Sequence, residues 1–241
     1  MRMLLRLEFL FRGLEVALEG DTDWHSRASV SHLLDVAELM TRWDLRADLA
    51  KELERIAGTL TPMERNPDVD QERLQALMDR MDQTIDRIHR DTRPLGQQLL
   101  ESELIAGLRR RQHLALGNCD FDQPAYLHWL HTPAEHRRAQ IAEWMEPLAT
   151  VREAMTLVLM LVRQSVPTSR ETAPTGFFQR SLDPAQPNQL LRILLPHDSA
   201  YYPEISAGRH RFSVRFLRFT LRGRPPPAEE DVSFGLMCCN L

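Results

Sequence analysis

The residues best suited to chemistry in this chain are the arginines of one short segment near its carboxyl end. Between Arg209 and Arg224 stand six arginines, one histidine and no acidic residue, so the segment carries a charge of about +6 in a chain whose formal charge is −4. Guanidinium groups bind carboxylates and phosphates through a fixed set of N–H donors. The segment therefore predicts an anion-binding surface. The candidate residues on it are Arg209, Arg211, Arg215 and Arg218.

Residues 209–221 have the aromatic and β-branched content, and the near-alternation, of a β-strand. Successive side chains of a strand point to opposite faces. We therefore expect Phe212, Val214 and Phe216 to lie on a buried face, and Arg211 and Arg215 to lie on an exposed one. The same pattern also fits a solvated edge strand whose arginines discourage aggregation between sheet edges.

Two classes of anionic partner fit such a strand. Proteins that bind nucleic acid on a sheet usually expose aromatic side chains among the basic ones, because bases stack on them. Here the phenylalanines of the segment alternate away from Arg211 and Arg215, which favours acidic peptide groups as the partner. The local charge is still sufficient for nucleic-acid binding, which stays as the alternative.

Histidine and cysteine offer the other possible chemistry. His128 and His131 stand three residues apart and could share a helical face and a metal ion, but no glutamate stands in the pattern of a hydrolytic metal site. Cys119, Cys238 and Cys239 show neither a nucleophile motif nor a Cys–His pairing, and no phosphate-binding loop is present. We therefore predict a non-enzymatic protein with no catalytic residue, no metal site and no cofactor.

The elements that must position the arginines change character along the chain. Apolar residues recur at helical spacing before residue 165, and a polar loop is expected at 21–27. The predicted helices span about 3–18, 31–40, 44–57 and 70–89, with several shorter ones after them and a last, largely apolar one from Pro147 to Gln164. Beyond residue 165, short extended runs replace the helical pattern. These predicted strands lie at 176–182, 190–195, 209–221 and 232–239.

This change predicts an α+β protein, in which a mainly helical domain is followed by a small antiparallel β-strand domain. We expect the helical domain at 1–165, a Pro-, Thr- and Ser-rich linker at 166–175, and the β-strand domain at 176–241. A four-stranded sheet of this size is marginal alone, so it should pack on the helices or on a second subunit.

The composition also bears on the compartment. The longest nearly apolar run, 155–162, is far shorter than the ~20 residues that span a bilayer, so no membrane partner is expected. The amino-terminal residues lack the pattern of a signal peptide. Three cysteines without framework spacing indicate reduced thiols. Together these features predict a soluble cytoplasmic protein.

Several short motifs, in their order along the chain, resemble those of the ZapD family, small cytoplasmic proteins that stabilise the bacterial division ring. The motifs cover nearly the whole chain, and none is decisive by itself. They are Leu4–Leu10, Leu33–Val36, Leu49–Leu53, Cys119–Asp122, His128–His131, Val162–Ser165, Gly176–Gln179, Tyr202–Ser206, Arg211–Phe216 and the pair Cys238–Cys239.

The resemblance implies a helical domain joined to a β-strand domain, a homodimer, no catalysis, and action at the division site at midcell. It also implies binding to the carboxy-terminal tail of FtsZ, the tubulin-like division GTPase, and cross-linking of FtsZ filaments into bundles. The basic surface proposed for tail binding in the family maps onto Arg211 and Arg215.

Two departures from the family pattern affect these expectations. Where we expect a basic residue at or near position 103, this chain has Glu103, so Arg110 and Arg111 are the candidate substitutes on that helix. Family members usually begin with a short extended segment before the first helix, whereas this chain starts almost at that helix. Either a segment precedes this start or the sheet has one strand fewer.

Overall fold

The chain divides into a helical unit and a β unit. The computed structural model describes residues 1–42, 45–90, 97–112, 121–183, 185 and 188–241. One compact unit is Arg2–Val158, and the other is Leu159–Leu241 together with Met1. Helices form the first, and two small antiparallel sheets follow in the second, so the predicted α+β class is confirmed. The exact domain boundaries at 165 and 175 stay a prediction.

The helical unit is built on apolar stripes. Along α1 the buried side chains include Leu7, Phe11 and Leu14, which recur every three or four residues as one helical face requires. The helices are α1 (Arg2–Leu18), α2 (Asp23–Arg42), α3 (Leu45–Leu60), α4 (Gln71–Arg90), α5 (Glu103–Arg111), α6 (Pro124–Leu130), α7 (Ala134–Met145) and α8 (Ala149–Gln164), which continues into the second unit. Short 3₁₀ turns lie at Thr61–Arg65, Gln98–Glu101 and Glu146–Leu148.

The start of α2 differs from the sequence prediction. Residues 23–27 belong to the helix and not to a loop. Thr22 caps it, because the backbone N–H of His25 donates to Thr22 Oγ1 at 3.3 Å. The polar composition of this turn reflects its exposed face, and the cap residue was the signal that the periodicity argument did not use.

A buried arginine ties three segments of the helical unit together. Arg137 of α7 is only 6% exposed. Its guanidinium donates to Ser26 Oγ at 2.8 Å, to the carbonyl oxygen of Leu130 at 2.8 Å and to that of Asp21 at 2.5 Å. These bonds satisfy the charged donors where water is excluded, so Arg137 connects the start of α2 to the end of α6.

The β unit contains six strands among its described residues, where the sequence predicted four. They are β1 (Ser169–Ala173), β2 (Phe177–Ser181), β3 (Leu190–Leu194), β4 (Tyr201–Ala207), β5 (Arg211–Arg218) and β6 (Val232–Cys239). They form two three-stranded sheets, in the orders β1-β6-β3 and β2-β5-β4, and every described pairing is antiparallel.

The two strands absent from the prediction have sequences that do not favour a strand locally. β1 lies inside the predicted linker 166–175, which is therefore wrong for residues 169–173. β4 contains Pro203, which cannot donate to a neighbouring strand but is tolerated because β4 is at an edge of its sheet. β1 forms because it hydrogen-bonds to β6, and β4 forms because it hydrogen-bonds to β5. Such pairing depends on residues that are distant in the sequence, so local composition does not reveal it.

The apolar core of the β unit lies between the two sheets. Phe212, Val214 and Phe216 of β5 pack in one cluster with Phe234 and Leu236 of β6. The ring centroids of Phe216 and Phe234 are 5.0 Å apart, in a tilted arrangement. Burying one such side chain contributes roughly 1.5–3 kcal/mol. The premise of a single four-stranded sheet is therefore wrong, because two sheets cover each other's apolar faces; packing on the helices or on a second subunit stays a prediction.

A tight corner carries the chain from the first sheet to the second. Thr175 and Gly176 both have positive φ, 47° and 71°. A β-carbon at Gly176 would lie 2.7 Å from the β-carbon of Ala228, so only glycine fits without displacement. The Thr175 N–H donates to Asp231 Oδ1 at 3.0 Å. The corner thereby fixes where Phe177 begins β2.

A charged pair connects the edge strands β1 and β2. Arg180 Nη2 lies 2.7 Å from Glu171 Oε1. The hydrogen bond from Arg180, followed by that from Ser169, lowers the pKa of the Glu171 carboxyl below its ordinary value. Charges at sheet edges also oppose pairing with further strands.

Replacing a core phenylalanine should destabilise the β unit. We expect Phe216→Ala to lower the free energy of unfolding by about 3–5 kcal/mol, because it empties a fully buried position. Hydrogen exchange of the β5 and β6 amides measures this loss. Phe219→Ala, at a side chain that is 70% exposed, is the matched control. It should change the free energy of unfolding derived from exchange by less than about 0.5 kcal/mol. Equal effects of the two variants would contradict the proposed core.

Removing the guanidinium of Arg180 should raise the pKa of Glu171 toward its ordinary value. Because the folded-state pKa is lowered, the pair stabilises the fold above the unfolded-state pKa, and this is lost as pH falls through the folded-state pKa. Both side chains are partly exposed, so we expect at most about 1 kcal/mol. Carboxyl NMR titration of Arg180→Gln tests the shift, with Arg170→Gln as control. An unchanged Glu171 pKa in Arg180→Gln would refute the assigned cause.

Candidate anion-binding site

The arginine strand is the central strand of its sheet. β5 pairs with β2 on one side and with β4 on the other. The interpretation as an edge strand protected by arginines is therefore wrong. Phe212, Val214 and Phe216 are 1% exposed or less, whereas Arg211 and Arg215 are exposed. This alternation confirms the predicted facing of the strand.

Arg211 and Arg215 stand on the outer face of the sheet, where Glu204 of β4 lies opposite Arg215. Neither side chain forms a hydrogen bond or an ion pair with another described residue. Four residues of strand separate their α-carbons by about 13 Å. Two exposed guanidinium groups at this separation can each donate hydrogen bonds to a carboxylate or phosphate without first breaking an ion pair within the protein.

Neighbouring strands place aromatic side chains at the Arg215 end of this face. Phe177 of β2 lies opposite Arg215, is 42% exposed, and has its ring centroid 5.9 Å from the guanidinium carbon of Arg215. Tyr202 of β4 lies opposite Leu217 and is 37% exposed. The phenylalanines of β5 do face away, but adjacent strands supply exposed aromatics that the sequence of β5 by itself does not reveal. Since Phe177 and Phe178 are consecutive in a strand, one of them had to face outward, and that was the available signal.

Arg218 and Arg209 do not join this pair. Arg218 is an even number of residues from Phe216, so it does not share the face of Arg211 and Arg215. Its Nη2 donates to Tyr201 Oη at 3.2 Å, and that hydroxyl donates to Glu230 Oε1 at 2.8 Å. The bond to Tyr201, with the nearby acidic charges, raises the pKa of Arg218 above its ordinary value. Arg209 lies exposed in the turn between β4 and β5. Of the four predicted strand arginines, β5 thus brings Arg211 and Arg215 onto one face.

A small pocket lies at the Arg218 end of β5. Its volume is about 290 Å³. It is lined by Tyr201, Arg218, Pro226, Pro227, Glu229 and Glu230. The two glutamates give it a mixed charge, so it does not extend the anion-binding surface.

The remaining predicted arginines belong to the helical unit. Arg110 and Arg111 form the last turn of α5, whose first residue is Glu103. Arg111 Nη1 donates to the carbonyl oxygen of Asp122 at 3.0 Å. Arg110 is exposed and has no ion pair with any residue in the described ranges. These arginines therefore remain candidates by prediction, and one of them is already engaged.

The histidine and cysteine chemistry considered from the sequence does not assemble in the described part of the chain. His128 lies in α6 and His131 directly after it, and the described residues hold no group of three or more potential metal ligands. Burial raises the pKa of the Cys238 and Cys239 thiols, which disfavours the reactive thiolate. Cys119, considered above, lies outside the described residues. Among the helices described, none has the length and apolar character to cross a membrane.

Comparison with known proteins points to one family. The family model for ZapD, described as a cell division protein, matches residues 5–215. A Cell division protein ZapD from Methylococcus capsulatus is 39% identical over 241 residues, which are the whole of this chain and 94% of the relative. The corresponding protein of Cupriavidus necator is 36% identical over 99% of this chain and 95% of the relative. That of Coxiella burnetii is 32% identical over the whole chain and 94% of the relative.

Proposed function

This chain belongs to the ZapD family of cell division proteins, and we propose that it acts in division by binding the carboxy-terminal tail of FtsZ. In this proposal it is a non-enzymatic cytoplasmic factor that cross-links FtsZ filaments into bundles and stabilises the division ring at midcell. The observation that carries the proposal is the pair of exposed guanidinium groups, Arg211 and Arg215, which form no ion pair with another described residue and stand on one face of a central strand.

The expected strength of one such site is modest. A fully exposed ion pair contributes about 0–1 kcal/mol. A charge-assisted hydrogen bond that is partly shielded from water contributes roughly 1.5–3 kcal/mol. Two arginines therefore support a weak tail site. Weak contacts suit a cross-linker, since a filament displays many tails and avidity strengthens the whole assembly without preventing its rearrangement.

Cross-linking requires at least two sites in one particle. A two-fold homodimer supplies two identical copies of the β5 surface and can hold two filaments. This dimer rests on the resemblance to the family and on the needs of bundling. The apolar face of the β5 sheet, which first suggested a subunit interface, is already covered by the second sheet.

A nucleic-acid-binding function is the second candidate. The exposed rings of Phe177 and Tyr202 favour it, because bases could stack on them near Arg215. The two functions differ in which anion competes. An acidic peptide and duplex DNA both lose affinity as salt screens the arginines, so only direct competition separates them.

Charge reversal at the two arginines should abolish most tail binding. We expect Arg211→Glu with Arg215→Glu to weaken binding of a fluorescent FtsZ-tail peptide at least ~10-fold, or ~1.4 kcal/mol, because repulsion adds to the lost contacts. Fluorescence anisotropy measures the affinity, and co-sedimentation with polymerised FtsZ, with and without its tail, measures the consequence for filaments.

The matched control is Arg222→Glu with Arg224→Glu, which makes the same change in net charge in the loop after β5. This control should retain most of the binding. Normal peptide affinity in the Arg211/Arg215 variant would contradict the proposed function. Displacement of the tail by duplex DNA that binds more tightly would favour the nucleic-acid candidate instead.

The cross-linking mechanism predicts a dimer in solution. Light scattering at micromolar concentration should give about twice the chain mass of 27.9 kDa. The Arg211/Arg215 double reversal should keep that mass, because both side chains are exposed and their replacement leaves the folded core unchanged. A stable monomer that still bundles filaments would show that two sites per dimer are not the mechanism.

A further inference from the structure

The outer face of the β5 sheet is asymmetric on the two sides of the arginines. Toward β2, the side chains that share this face carry no charge: Phe177, Gln179 and Ser181. Toward β4, the corresponding side chains are Tyr202, Glu204 and Ser206. We call the surface between β5 and β2 the β2 valley and the surface between β5 and β4 the β4 valley. The β2 strand residues contribute no charge to the first, whereas Glu204 contributes a negative charge to the second.

Glu204 decides which valley an acidic ligand prefers. It lies directly opposite Arg215 in the β4–β5 register, at the short distance of cross-strand neighbours. It forms no ion pair with Arg215 or with any other residue that the structure describes. A carboxylate approaching Arg215 from this side is repelled by Glu204, whereas the β2 strand residues that share the face, Phe177, Gln179 and Ser181, carry no negative charge.

Phe177 makes the β2 side a composite subsite. Its ring centroid lies 5.9 Å from the guanidinium carbon of Arg215, within the range of a cation–π contact, and no hydrogen bond to another described residue occupies the Arg215 N–H groups. The ring is still 42% exposed. The position can therefore take an apolar side chain of the ligand at the same time as a carboxylate.

From this asymmetry we propose that the partner peptide lies along the valley between β5 and β2, with an apolar side chain against Phe177 next to the carboxylate on Arg215. A second carboxylate, four residues away, meets Arg211. The spacing follows from ~3.3 Å per residue in an extended chain and from the alternation that turns residues i and i+4 to the same side. This inference rests on the proposed function, since it specifies the ligand of that same site.

The first test compares two exposed aromatics of similar exposure, one in each valley. Phe177→Ser should weaken the tail peptide about fivefold, the size expected of one cation–π and apolar contact. Tyr202→Ser, in the β4 valley, should change affinity by less than about twofold. Hydrogen exchange of β2, β4 and β5 establishes that both variants keep the sheet.

The second test varies the ligand. Synthetic peptides of equal length and charge should bind more tightly with two glutamates four residues apart than with the glutamates three apart, because the latter point to opposite sides of an extended chain. When the apolar residue of the peptide beside one glutamate is replaced with serine, the wild-type protein and the Phe177→Ser variant should bind that peptide with the same affinity. Loss of that coupling identifies the contact as direct.

The outcomes separate this inference from the function on which it rests. If the Arg211/Arg215 reversal abolishes binding while Phe177→Ser and Tyr202→Ser act alike, the proposed function stands and the β2 valley is wrong. If Tyr202→Ser has the larger effect, the ligand lies over β4. If peptide binding survives the arginine reversal, the proposed function itself fails.

Discussion

The alternation of side chains along one doubly paired strand is the constraint on which the candidate site depends. β5 holds Phe212 and Phe216 inside the sandwich and Arg211 and Arg215 outside it. Pairing with β2 and β4 fixes the backbone, so the two arginines begin from fixed positions. The conformational entropy of the site's backbone is therefore lost on folding, before any ligand binds. An anion-binding surface built on a loop would lose that entropy at each binding event.

The chain uses arginine in several physically distinct ways. Arg137 is buried and fully engaged with a hydroxyl and with carbonyl oxygens, a role that depends on the forked guanidinium. Arg180 pairs with Glu171 at the sheet edges. Arg211 and Arg215 are exposed and form no ion pair with another described residue. Since 29 of the 30 basic residues in the chain are arginine, residue type alone does not distinguish these roles. The burial of each arginine and the groups that it contacts distinguish these roles.

Periodicity within one element could be predicted from the sequence, and pairing between elements could not. The apolar stripe of α1 and the two faces of β5 follow from spacings of 3.6 and 2, which are local. β1 and β4 exist because β6 and β5 pair with them, despite Pro203 and a Ser- and Thr-rich composition. The neighbours of Arg215 follow from the register of β2, which no local pattern specifies. The site was therefore predicted as a set of candidate arginines, and the aromatic ring next to Arg215 was missed.

The two-faced construction of β5 also limits how this surface can change during evolution. A single-residue insertion or deletion inside the strand would exchange its faces, moving arginines into the sandwich and phenylalanines into water. Such an event would remove the folded sheet and the anion-binding surface together. Substitution at Arg211 or Arg215, by contrast, leaves the interior untouched. A change in the length of β5 is therefore expected to cost far more than a change of its outward residues, so the specificity of the surface can vary only within a strand of unchanged register.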